Sequence, residues 1–145
     1  MRSILLFCCA LSFTACAKGG EQAGGEAATL NLADVAGKWT LQAMAEGSDS
    51  VLVTSEINAT ATTEGWTLVL PGRDPIPLQV TTGGDSVVTH GGPFESVLRP
   101  GVQVTIENVM RLVNGQLEGV TVAHYQGVAG ADSVARLRQR GTRAQ

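Results

Sequence analysis

The chain has 145 residues, 43% of them hydrophobic and only 4% aromatic, with 10 basic and 13 acidic side chains and a net charge of −3. Mild acidity and few rings exclude a nucleic-acid binder, which needs a basic face and bases stacked on aromatic side chains. Beyond an apolar opening run, a stretch on the order of 110 residues remains, enough for one hydrophobic core and too short for two ordinary domains.

The first element is that opening run. Arg2 gives a positive head, Ile4 to Leu11 form an apolar stretch too short to span a bilayer, and small residues follow at Thr14-Ala15-Cys16. This pattern predicts an export signal over residues 1–15. The ending Phe13-Thr14-Ala15-Cys16 resembles a bacterial lipobox, and the resemblance implies cleavage before Cys16 and attachment of acyl chains to it. Each buried methylene contributes about 0.8 kcal/mol, and more than one chain makes a stable anchor. Ala15-Cys16-Ala17 also fits ordinary A-x-A processing, with cleavage before Lys18 and secretion without a lipid. In lipoproteins of that type an Asp two places after the cysteine favours inner-membrane retention. Lys18 stands there, so the resemblance implies the periplasmic side of the outer membrane.

Cys8, Cys9 and Cys16 all fall in or at the end of this run, which leaves no thiol downstream for a disulfide, a metal or a nucleophile. Lys18 to Ala28 is rich in Gly, Ala and Glu with no periodic apolar residues. Residues 16–29 therefore read as a flexible tether, whose Gly-rich part would hold a domain roughly 17–20 Å from its anchor.

The domain is predicted over residues 30–145. Asn31 caps one or two helical turns and Gly37 ends them. From Lys38 on, apolar residues recur at every second position, as strands with one buried face require. Trp39, Leu41 and Ala43 form the first run; Val51, Val53, Ile57 and Ala59 share one face of the second. Trp66, Leu68 and Leu70 follow, then Ile76, Leu78 and Val80 after a Pro/Gly-rich turn, and a short fifth strand at Val87 and Val88. The sixth run sets Val102, Val104, Ile106, Met110 and Leu112 against Gln103, Thr105, Glu107 and Arg111. Asn114-Gly115 is a two-residue hairpin turn into Gln116 to Tyr125, and a last strand runs from about Ser133 to Arg140. Eight runs with short links predict an all-β fold, a single small antiparallel up-and-down barrel that closes to remove its edges. Thr, Glu, Asn, Gln and Arg on the outward positions argue against a lipid-facing outer-membrane barrel.

Gly37-Lys38-Trp39 resembles the G-x-W opening of calycins, the lipocalin and fatty-acid-binding superfamily. That resemblance implies a tryptophan closing one barrel end against a basic residue of the last strand, here Trp39 with Arg138 or Arg140. The chain beyond the signal also resembles a group of small envelope lipoproteins from soil bacteria, which implies a location and no activity.

No motif names a reaction. Three Gly/Asp/Ser blocks, at 47–51, 83–87 and 130–134, lead into strands, so they read as turn chemistry rather than as a nucleophile elbow. His90 and His124 are the only histidines and need distant carboxylates to complete a metal set. No phosphate-cradling loop and no carboxylate pair at useful spacing is present. The reading is a protein that is not an enzyme, with no catalytic residues, no metal and no cofactor. Arg136, Arg138 and Arg140 lie two apart and share a strand face, a candidate contact for an anionic partner.

Two functions remain open. One is a binding module that holds a small apolar or amphipathic ligand, lined by Trp39, Trp66, Leu68, Ile106 and Met110. The other is a structural or interaction module with a packed core that contacts an envelope partner through its outer face. An interior space of several hundred Å³ would favour the first and a solid interior the second.

Overall fold

The computed structural model describes residues 29–145. The predicted export signal, the lipid attachment at Cys16 and the tether through residue 28 lie outside the described residues.

Helix α1 (Leu32–Val35) is a single turn, and the Asn31 side chain caps it by accepting the Ala33 N–H at 3.0 Å. Gly37 does not end it. The helix stops at Val35, Ala36 is already extended, and Gly37 opens the first strand. Eight strands follow: β1 (Gly37–Ala45), β2 (Val51–Ala59), β3 (Thr67–Val69), β4 (Ile76–Gly83), β5 (Ser86–Glu95), β6 (Gln103–Val113), β7 (Gln116–Tyr125) and β8 (Val134–Arg143). Each pairs with its sequence neighbour, β1 also pairs with β8, and the sheet is a closed antiparallel up-and-down barrel.

Period two decides what is inside. Trp39, Leu41, Ile57, Val87, Met110 and Leu117 are almost fully buried in one apolar cluster, while Lys38, Gln42, Arg111 and Glu118 on the alternate positions face out. Asn114 (φ 50°) and Gly115 (φ 78°) form the hairpin turn between β6 and β7, where both central residues need positive φ.

Three strand readings change. β5 runs for ten residues, not two, because Thr89 and Gly91 continue the inward parity without an apolar side chain to announce it. β8 extends to Arg143 and closes against β1, with Arg143 opposite Trp39. Val51 is 44% exposed, because a register shift lets it pair with Met44 while Val53 pairs with Ala43, which takes Val51 off the inward parity.

The two barrel ends differ. At the closed end, residues 30–36 lie across the opening: the Leu30 N–H donates to the Gly84 carbonyl at 2.9 Å and Val35 is fully buried. Trp39 gives its indole N–H to the Val35 carbonyl, and Trp66 gives its own to Thr62, each at 2.7 Å. Both large rings are thus buried without an orphan donor. The cation over Trp39 belongs to Arg143, 4.4 Å from the ring, and not to Arg138 or Arg140. Parity explains the correction: Leu137, Gln139 and Gly141 point inward, so Arg143 is on their face and the even-numbered arginines are outside. Arg143 also donates to the carbonyls of Ala36 (2.8 Å) and Asp34 (2.5 Å), tying the last strand to the N-terminal segment.

Replacing Arg143 with Ala should cost about 1–2 kcal/mol, the sum of a cation–π contact and hydrogen bonds at a half-open site. Urea melts followed by tryptophan emission should show a lower midpoint and a redder folded-state spectrum as Trp39 gains water. Gly119 marks a tighter constraint, since a Cβ there would overlap the Val109 carbonyl oxygen of the neighbouring strand. Gly119→Ala should destabilise by about 3 kcal/mol or more, because backbone and not a flexible side chain must move; circular dichroism melts would measure it.

Candidate functional site

At the other end, where β2, β4, β6 and β8 begin, the interior is not filled. A cavity of about 70 Å³ lies among Ala43, Val53, Leu68, Leu70, Val104, Ile106, Ala123 and Leu137, with Val97 and Leu98 of the β5–β6 connection at its mouth. Val97 and Leu98 are about 40% exposed, and Val51, Leu52 and Val134 are exposed at the same end of the barrel. Five of the seven large hydrophobics exposed among the described residues therefore gather around this opening; the other two, Val109 and Val113, are on the outer sheet face.

Two polar residues of the lining, Asn108 and Thr121, belong to a buried polar rung that Thr89 completes. Thr89, Asn108 and Thr121 occupy one level on three adjacent strands, because the ladders pair Thr89 with Asn108 and Asn108 with Thr121. The Thr121 hydroxyl donates to Asn108 Oδ1 at 2.7 Å, and Asn108 Nδ2 donates to Thr89 Oγ1 at 2.8 Å. All three residues are at most 4% exposed. Ser55, Ser96 and Gln139 add three more buried polar side chains to the wall, and Gln139 Oε1 has no hydrogen-bond partner. Among the described residues no Asp, Glu, Lys, Arg or His lines the space. Arg99 stacks 4.2 Å over the ring of Tyr125, a lining residue, and gives its Nη1 to the Asp132 carbonyl.

The sequence-predicted ligand residues divide between the two ends. Leu68 and Ile106 line the cavity. Trp39, Trp66 and Met110 are packed in the filled end, at 0–1% exposure, away from the open space. The alternation that found the apolar positions passed over Ser55 and Asn108. A polar residue on the inward parity of an otherwise apolar run is the signal that would have found them.

Arg136, Arg138 and Arg140 face outward as a row on β8. Arg136 Nε is 3.6 Å from Glu46, Arg138 Nη2 is 2.6 Å from Asp49 and 3.0 Å from the Ser48 carbonyl, and Arg140 is level with Glu118 on β7. The row is a mixed-charge surface with Val109, Val120 and Val122 in its neighbouring hollow. His90 Nδ1 is 3.6 Å from Glu107 on the outer face, and His124 stands on β7 with β6 between the two histidines. Among the described residues no group of three His, Cys, Asp or Glu is placed to hold a metal. The serines of two Gly/Asp/Ser blocks, Ser86 and Ser133, donate to the carbonyls of Gly83 and Gly130, closing their own turns. No described helix is long and apolar enough to cross a membrane.

No protein-family model, curated protein or solved structure is significantly similar to this chain.

The buried rung has a measurable consequence. Asn108→Ala should cost about 2–4 kcal/mol, because it removes packing and strands the Thr121 hydroxyl and Thr89 together. Adding Thr89→Val and Thr121→Val to Asn108→Leu should recover most of the loss, since a fully apolar rung leaves no buried donor unmet. Chemical denaturation of the single and triple variants tests this; a triple variant weaker than the sum of its parts would show that the rung is not an isolated network.

Proposed function

We propose that this protein is a non-catalytic binding module of the bacterial cell envelope that takes the end of a small amphipathic ligand into the open end of its barrel. An eight-stranded barrel is compatible with such a role, since barrels of this size either fill with side chains or keep room for one small ligand. The observation that carries the reading is the contrast between ends. One end is sealed by residues 30–36 and Arg143, and the other keeps an unfilled space under a rim of exposed valine and leucine.

The interior is neither solid nor the several hundred Å³ expected of a carrier that encloses its ligand, so the binding role is limited to the end of a ligand. About 70 Å³ is roughly half the size of a dry engineered cavity that accepts benzene, so the interior does not enclose a whole lipid. The ligand enters by one end, and its remaining length rests on Val97, Leu98 and the other rim residues. The outer-face alternative, contact with an envelope partner through Arg136, Arg138 and Arg140, is less well supported, because Arg136 and Arg138 are already paired with Glu46 and Asp49. Attachment to the membrane through acylated Cys16 belongs to the same proposal and rests on the sequence at residues 13–16.

Native mass spectrometry of detergent-extracted protein tests both parts. The expected result is an acylated N-terminus at Cys16 together with a retained small molecule; a chain starting at unmodified Lys18 overturns the lipid anchor. Ala123→Leu provides the control, since it extends an aliphatic chain into the cavity. This variant should keep or raise the melting temperature while losing the retained molecule, and retention at the wild-type level would place the ligand elsewhere.

A further inference from the structure

We propose that the open end selects an uncharged hydrogen-bonding head, a hydroxyl or carboxamide on a slender aliphatic chain, and rejects carboxylates and ammonium groups. This inference rests on the binding reading above and specifies its ligand class. Three observations support it. The polar side chains that reach the cavity, Ser55, Ser96, Asn108, Thr121 and Gln139, are all neutral. A charged head placed among them would give up its water with no counter-charge, a far greater cost than for a neutral amide or hydroxyl.

The wall also has unused hydrogen-bonding capacity. Gln139 Oε1 is buried in a residue 92% removed from solvent and accepts nothing, which calls for a donor. Asn108 Nδ2 uses one N–H on Thr89 and has a second to give, which calls for an acceptor. Hydroxyls and primary amides supply both; an ammonium only donates and a carboxylate only accepts. Size agrees, because a space of about 70 Å³ admits a head and its first carbons but not a bulky headgroup. The chain beyond these carbons leaves past Phe94, Val97 and Leu98.

The competing source of charge recognition is Arg99, the one guanidinium among the described residues that stacks on a residue of the cavity wall. Its Nη1 is committed to the Asp132 carbonyl, its guanidinium lies over the Tyr125 ring, and it is not among the residues that line the space.

The test uses four probes of one chain length, 1-octanol, octanamide, octanoate and octylammonium, titrated into the folded protein near neutral pH. Calorimetry and amide chemical-shift mapping provide the readout. Octanol and octanamide should bind at least tenfold more tightly than either ion, with shifts at Asn108, Thr121 and Gln139. Octanoate should gain affinity as pH falls towards the carboxylate range while octanol stays flat, a readout that needs no variant. Gln139→Leu should weaken octanol about five- to tenfold. Equal affinity for charged and uncharged heads at the same residues overturns head selection and leaves the binding reading intact. Preferential octanoate binding that disappears in Arg99→Gln also overturns it, in favour of a carboxylate site. Binding of none of the four overturns both readings.

Discussion

Pairing of β1 with both β2 and β8 leaves the sheet without a free edge, and that closure is the constraint on which every other feature depends. A closed barrel has one inside, and period two allots every second side chain to it whatever its chemistry. At the level of Trp39, Trp66 and Met110 the inward residues are large and apolar, and the space fills. At the level of Ser55, Asn108, Thr121 and Gln139 they are small or polar, and it does not. The difference between the two ends is a change of side-chain volume and polarity along one continuous sheet.

The same parity separates arginines that look alike in sequence. Arg136, Arg138 and Arg140 project to solvent, where acidic residues of the β1–β2 turn reach two of them from almost 90 positions earlier in the chain. Exposed pairs of this kind contribute little stability each, about 0–1 kcal/mol, but they lower the net positive potential of the row. Arg143, one step out of phase, turns over Trp39 and bonds to the segment that leads back toward residue 28. The segment that begins at residue 29 is therefore held at the closed end, about one strand length from the cavity mouth.

The fold was legible because burial imposes a period. Eight runs of alternating apolar residues, an Asn-Gly turn and an Asn cap each state a local preference, and the closed sheet satisfies all of them at once. The candidate site was much less legible, for a related reason. Apolar alternation detects interior positions only where the interior is apolar, so Thr89, Asn108 and Thr121 read as gaps, and β5 shrank to Val87 and Val88. The buried tryptophans, which looked like a ligand lining, turned out to be the stopper of the filled end, because which barrel level a residue occupies depends on register across strands. The Arg143 contact was within reach of counting from Leu137 but was hidden by three arginines on the opposite parity.

The open end is costly to the folded state. A space of about 70 Å³ forfeits at most about 2 kcal/mol of packing, the value for a sealed cavity, because solvent reaches this one through its mouth. An unmet buried amide oxygen such as Gln139 Oε1 costs about 1–3 kcal/mol more. Against a total stability of about 5–15 kcal/mol for an ordinary domain, these are large losses for a chain with no downstream cysteine to staple it. One longer aliphatic side chain at Ala43 or Ala123 and a leucine at position 139 would remove both. In the proposed binding role a ligand would recover them without substitution, because a hydroxyl or amide at Gln139 and methylenes against Val97 and Leu98 would fill the space and meet the oxygen together. Costs confined to the single unsealed end, which one kind of occupant would relieve, are what the proposed binding role requires.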